Sequence, residues 1–237
     1  MRLRDFDVLT LDCYGTLIDW ETGILEALAR WLARYGRSAE PEGLLQLFAR
    51  HEPAQQRETP RMPYAELLGR VLLRLGRELA VPVDEEDRRA FGASVGDWPA
   101  FPDSPTALAR LKRHYRLFIL SNVDRRSFAG SAKRLGVAFD GVFTAEDIGS
   151  YKPDLRNFGW MLERLAERGI AKERILHTAQ SLFHDHVPAK AAGLATCWID
   201  RRQGCPGGAT PTVSVAVVPD FRFPTLLAMA EAREAEG

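Results

Sequence analysis

Four short segments hold residues whose types and spacing could do chemistry. In Leu11-Asp12-Cys13-Tyr14-Gly15-Thr16 a carboxylate directly follows an apolar run, with a glycine and a threonine behind it. A carboxylate presented on so tight a turn can attack as a covalent nucleophile. Ile119-Leu120-Ser121-Asn122 ends another apolar run with a hydroxyl and an amide just before a helical pattern, a place where donors can hold an anion. Ser150-Tyr151-Lys152-Pro153-Asp154 places a lysine on a loop stiffened by proline, and Gln180, His184 and Asp185 follow the apolar stretch that begins at Ile175. Taken singly, each has an ordinary explanation: Asp12 as a turn cap, Lys152 as a solvated cation, Asp185 as a first-turn acid. Only their joint position, each just past an expected strand, raises them as a set.

The elements that must position them alternate. Residues 6–11, 117–120, 141–144, 175–179, 195–199 and 215–218 are short apolar runs expected as strands, and 104–115, 125–135, 154–168 and 185–192 carry helical patterns. Strands alternating with helices predict an α/β, Rossmann-like parallel sheet with helices on both faces. Residues 17–97 break the alternation. Ile24, Leu25, Leu28, Trp31 and Leu32 share one helical face, as do Leu67, Leu68, Val71, Leu72 and Leu75, and Pro41, Pro53, Pro60 and Pro63 are expected to divide the segment into separate helices. The expected organisation is a core of residues 1–16 and 98–237 interrupted by an all-helical cap, 17–97. Sheets of this kind bind ligands beyond the carboxyl ends of their strands, where Asp12, Ser121 and Gln180 would fall. Trp20 and Trp98 sit near the two junctions as candidates to line a pocket, and 204–211, rich in glycine and proline, reads as a surface loop.

Composition narrows the classes. The 237 residues include 32 Lys+Arg and 32 Asp+Glu, so no global field attracts nucleic acid. Residues 17–97 hold 11 arginines against 14 acids, leaving an excess of three positive charges on the remainder. No stretch nears the roughly 20 apolar residues that span a bilayer, so a membrane partner is not expected. Only five lysines stand beside 27 arginines, and one of the five is Lys152. Cys13, Cys197 and Cys205 are odd in number, which fits a reducing cytoplasm.

The four segments in this order resemble the haloacid dehalogenase superfamily over nearly the whole chain. Tyr14 stands where the phosphatases of that superfamily carry a second acid, and a tyrosine there is similar to the type II (S)-2-haloacid dehalogenases, whose halide leaving group needs no proton. The resemblance implies Asp12 as nucleophile, Thr16 orienting it, Lys152 offsetting its charge, and Asp185 directing the hydrolytic water. It further implies that Ser121 and Asn122 hold the substrate, that Arg50 completes the site from the cap, and that Tyr14, Gln180 and His184 border it. The implied activity is metal-independent displacement at C2 of a small 2-substituted carboxylate through an aspartyl ester, with no cofactor and with homodimers common in the family. Phe158 replaces an aromatic hydroxyl, and Gln180 and Leu182 replace a serine and an asparagine. Residues 6–21, 98–103 and 177–185 also resemble the azetidine-2-carboxylate hydrolases, which implies ring opening as an alternative, with His184 or Tyr14 supplying a proton. A magnesium-dependent phosphatase is the remaining alternative. His177, His184, Asp185 and His186 lie close in sequence, but no separated pair completes a tetrahedral metal set.

Overall fold

The computed structural model describes residues 1–205, 207–211 and 216–237. Among them, six parallel strands form one sheet in the order β3-β2-β1-β4-β5-β6: β1 (Val8–Leu11), β2 (Arg116–Ser121), β3 (Gly141–Thr144), β4 (Ile175–Ala179), β5 (Ala195–Ile199) and β6 (Phe221–Phe223). Successive side chains of a strand point to opposite faces. Leu9, Leu11, Leu117 and Ile119 accordingly join one buried cluster with Leu108, Leu111, Phe128 and Met229, while Val8, Phe118, Leu120 and Ile175 join another with Phe158, Met161 and Leu165. The first face is covered by α5 (Ser104–Leu111), α6 (Arg125–Leu135) and α10 (Leu226–Ala235). The second is covered by α8 (Leu155–Ala166) and α9 (Val187–Ala191), and a short helix, α7 (Ala145–Ile148), follows β3.

Four helices lie between β1 and α5 in the chain: α1 (Trp20–Arg34), α2 (Pro41–Glu58), α3 (Tyr64–Leu79) and α4 (Glu85–Ala93). Asp19 and Asp84 start α1 and α4 by accepting the backbone N–H groups of Thr22 and Asp87. Pro41 sits in the first turn of α2, as a missing N–H permits, but Pro53 lies inside that helix and does not break it. Its neighbours Glu52, Gln55 and Gln56 are buried, so packing of this face outweighs one lost ladder bond.

Other boundaries also move. Val215 of the expected last strand lies outside the described residues, and 216–218 are not strand; the sixth strand is Phe221–Phe223. The helix expected from 185 begins as a wide turn, Leu182–His186, where the Val187 N–H reaches back five residues to the Leu182 carbonyl. Such turns recur at functional sites. The 204–211 loop is not wholly superficial, because Ala209 is buried and its N–H donates to Glu21 Oε1 (2.8 Å). Among the described residues no helix is long and apolar enough to cross a membrane.

Candidate active site

β1 ends at Leu11, so Asp12 leaves the sheet at its carboxyl edge, and its N–H still donates to the Thr178 carbonyl of β4 (3.1 Å). The chain then turns sharply through Gly15, whose φ of +90° lies in the region that favours glycine; a Cβ there would stand 3.0 Å from Trp20 Nε1. The turn carries Thr16 back so that its hydroxyl donates to Asp12 Oδ2 (2.6 Å) and accepts the Gln180 N–H (2.9 Å). Arg201 fixes the same turn from behind. Its guanidinium donates to the Thr16 carbonyl at 3.1 and 2.8 Å and pairs with Asp103 at 2.6 Å.

Lys152 enters from the loop before α8 and is buried. Its Nζ donates to Asp12 Oδ1 (2.9 Å), Asp185 Oδ1 (2.6 Å) and the Leu120 carbonyl (2.9 Å), which uses all three of its protons. Asp185 also faces His177 Nε2 (3.0 Å), whose Nδ1 meets Thr10 Oγ1 (2.9 Å). Thr10 and His177 are register partners on β1 and β4, so the sheet itself lines up this relay. It is satisfied throughout when Nε2 carries the His177 proton and the Thr10 hydroxyl donates to Nδ1.

Burial and the shared ammonium set the charges. Burial pushes the Asp12 carboxyl up, and Lys152 offsets this in part. Burial acts on Asp185 too, but Lys152 and the His177 hydrogen bond outweigh it and hold its carboxyl well below the usual range. Lys152 itself is raised: burial opposes its charge, and the two carboxylates together more than compensate.

The sequence-selected residues separate into those that face the cavity and those that do not. A small cavity of about 30 Å³, room for one or two waters, is lined by Asp12, Tyr14, Ser121, Asn122, Lys152, His184 and Asp185, among others. Ser121 Oγ and His184 Nε2 are buried there without a partner. Asn122 borders the cavity, but its amide is spent on Lys152, donating to that residue's carbonyl (2.9 Å) and accepting its N–H (2.7 Å). It shapes the Lys152 loop, which leaves Ser121, of the two residues expected to hold substrate, as the one with an unspent polar atom. Gln180 contributes its N–H to Thr16, while its side chain accepts from Thr210 (3.3 Å). Arg50 is absent from the cavity lining; it pairs with Glu78 (3.0 Å) on an exposed helix face.

Neither expected proton source suits that part. The Tyr14 hydroxyl is bonded to Ser131 (2.9 Å) and its pKa is driven well above the ordinary value, chiefly by burial. Burial lowers His184 to about 4, so it is neutral near pH 7. His186 is fully buried against the Ala179 carbonyl (2.9 Å). Trp20 lines the cavity; Trp98 packs edge-on behind Tyr14, ring centroids 5.6 Å apart. Phe158 packs edge-on against His177 (5.1 Å), filling with apolar surface the position where a hydroxyl was noted as missing.

Arg201 and Glu52 were passed over in the sequence, and His177 was weighed there only as a metal ligand. His177 and Arg201 act through strand register and loop packing, which one sequence does not display. Glu52 did leave a signal: it follows Leu44, Leu45 and Phe48 at helical spacing, an acid on the apolar face of α2. It is buried and lines the cavity opposite the strand ends. The donor set does not suit a divalent cation, since Tyr14 occupies the place of a further carboxylate and no three His, Cys, Asp or Glu side chains converge among the described residues.

A buried carboxylate at a strand end, an ammonium shared with a second carboxylate and a small cavity beside them form a charged cluster at the carboxyl edge of an α/β, Rossmann-like sheet. A family model for haloacid dehalogenase-like hydrolases matches residues 6–193, and the chain belongs to that family. It is 26% identical over 228 residues to (S)-2-haloacid dehalogenase H-109 of Pseudomonas putida, covering 90% of this chain and 95% of the relative. The fold matches the L-2-haloacid dehalogenase of Xanthobacter autotrophicus with a TM-score of 0.80 at 19% identity, over 98% of this chain and 100% of that one. A structure of that enzyme with chloropropionic acid covalently bound matches with a TM-score of 0.80 at 17% identity, over the same shares of both chains.

Proposed function

We propose that the chain hydrolyses small 2-halocarboxylates without a metal, Asp12 being the nucleophile. The observation that carries this is the Asp12 carboxylate, buried at the end of β1 and held between Lys152 and Thr16 against a small cavity. A carboxylate stripped of water attacks carbon more readily. Asp12 forms a C2–O bond as the C2–halogen bond breaks and its electron pair leaves with halide. Asp185 then takes a proton from water, which attacks the ester carbonyl of Asp12 and releases the 2-hydroxy acid with C2 inverted. Lys152 balances the charge that moves between the two carboxylates. Ser121 Oγ, buried and unpartnered, is the donor placed to meet the substrate carboxylate.

The names of the Pseudomonas and Xanthobacter relatives support the substrate class, and the small cavity supports a short chain. A phosphatase would need an acid where Tyr14 stands with its hydroxyl turned to Ser131. Residues 17–97 act here as the cap that closes the site, and three unpaired thiols fit a reducing cytoplasm.

The test is a single turnover of excess enzyme with (S)-2-chloropropionate in heavy-oxygen water. Label in the peptide containing Asp12 is the expected outcome; label confined to lactate would overturn the ester. Asp12→Asn should remain folded, with Lys152 still paired to Asp185, and lose at least about a thousandfold in kcat.

A further inference from the structure

Ser121 and His184 are the two described cavity-lining residues with a buried polar atom that has no partner, Oγ and Nε2. Leaving such an atom unpaired costs about 1–3 kcal/mol, so two of them in the wall of one cavity point to a ligand that satisfies both. What the imidazole offers depends on which nitrogen carries its proton, and Ser181 decides that. The Ser181 hydroxyl, on a residue 5% exposed, accepts the His184 backbone N–H (2.9 Å) and lies 3.2 Å from His184 Nδ1; among the described residues it has no other hydrogen-bond contact. Its own proton therefore has Nδ1 as acceptor. The reverse arrangement, with Nδ1 donating, would bury the Ser181 proton unspent. Nδ1 is then bare, and the proton of the neutral ring lies on Nε2, the unpartnered atom. Among the described lining residues Lys152 is the cation, and its three protons are committed to Asp12, Asp185 and Leu120.

We propose that the Ser181 hydroxyl sets the His184 tautomer, and that the resulting Nε2–H and the Ser121 hydroxyl together hold the two oxygens of the substrate carboxylate. The inference rests on the proposed carboxylate substrate but not on the reaction at Asp12. In this role His184 is a donor that keeps its proton throughout, which burial favours by lowering its pKa to about 4. Ser181, whose hydroxyl is spent on the His184 ring and N–H, is a positioning residue. Both donors are neutral, so the anion is held by hydrogen bonds alone and Lys152 stays with Asp12 and Asp185.

The experiment is nuclear magnetic resonance on protein labelled with nitrogen-15 at histidine, at neutral pH, titrated with propionate as an unreactive carboxylate. The His184 signals, identified by their loss in His184→Phe, should show a protonated Nε2 and a bare Nδ1 in the free wild type. Ser181→Ala should mix in the other tautomer and weaken propionate at least about fivefold, and Ser181→Thr, which keeps the hydroxyl, should restore both. His184→Phe and Ser121→Ala should each weaken propionate at least about tenfold, as expected for a hydrogen bond lost to a charged group. Both should raise KM for (S)-2-chloropropionate more than they lower kcat. A protonated Nδ1 in the wild type, or propionate held equally well by His184→Phe, would overturn the inference and, where chloride is still released, leave the reading of Asp12 standing. Propionate held through His184 and Ser121 by a protein that releases no chloride would support it and overturn the proposed hydrolysis. Wild type that neither binds propionate nor releases chloride overturns both.

Discussion

Lys152 is the residue on which the charge balance of the site depends. Its ammonium is 1% exposed and holds two buried carboxylates, at 2.9 and 2.6 Å. Replacing it with Met would keep most of the side-chain volume yet leave Asp12 and Asp185 facing each other without a countercharge. Breaking a buried pair in this way costs about 3–5 kcal/mol. Lys152→Met should therefore lower unfolding free energy near neutral pH by about that much, as read by urea denaturation, and abolish turnover. The deficit should shrink on acidification, because a protonated carboxyl no longer needs the ammonium. A deficit unchanged by acid would mean that packing around the lysine stem, and not charge, accounts for its burial. Asp12 was legible in sequence because it directly follows a strand, whereas Lys152, on the loop between α7 and α8, and Asp185, in the wide turn after β4, were picked out by the segments that resemble the dehalogenase motifs. His177 was not, since its partnership with Asp185 exists only through the pairing of β1 with β4 and the facing of Thr10 across it.

At the scale of elements, the β1 turn decides whether Asp12, the proposed nucleophile, points into the cavity. Gly15 adopts φ +90° with Trp20 and Gln180 within 3.3 Å of where a Cβ would be, so Gly15→Ala meets both backbone strain and crowding. It should cost roughly 1–3 kcal/mol and, if Asp12 attacks as proposed, reduce kcat more than it changes KM, because the displaced atom would be the attacking oxygen. Arg201 is a positioning residue for the same turn through the Thr16 carbonyl. Arg201→Lys retains the charge facing Asp103 but not the forked pair of bonds, and should lower kcat about tenfold with KM little altered. A change in thermal stability alone would assign Arg201 a purely structural part. The strands that end at catalytic loops were readable because their apolar runs are bounded on both sides. The last strand was misplaced: 215–218 is the more apolar run, but Phe221–Phe223 is the segment that pairs with β5, beginning at Cys197. An edge strand with half-exposed side chains carries little hydrophobic signal, and pairing partners are not encoded by local pattern. Pro53 misled in the same way, because the burial that holds α2 together around it is tertiary.

For the molecule as a whole, the even charge total conceals an acidic helical segment and a basic sheet, and several contacts between them use that difference. Arg202 pairs with Glu21 (2.7 Å), and Arg134 with Asp97 (3.2 Å). The buried titratable groups then set how stability depends on pH. His184 and His186 are both held at about 4 by burial against an ordinary value of 6.5. Between those values the unfolded chain binds more protons, so their contribution is present above about 6.5 and is lost as pH falls towards 4. Glu52 has the opposite sign: raised from 4.5 to about 8, its folded form binds the extra proton, and its contribution is lost as pH rises through that window. Two histidines outweigh one glutamate below 6.5, whereas above it Glu52 acts alone, so these groups together place a stability maximum near pH 6.5. Each proton contributes about 1.4 kcal/mol per pH unit. Urea unfolding at about pH 5, 6.5 and 8.5 should show decline on both sides of the middle value, by about 2 kcal/mol on the alkaline side. Glu52→Gln should remove the alkaline decline and leave the acid one. An alkaline limb that survives the substitution would show that Glu52 is already ionised in the folded protein, and that a group other than this buried acid titrates there.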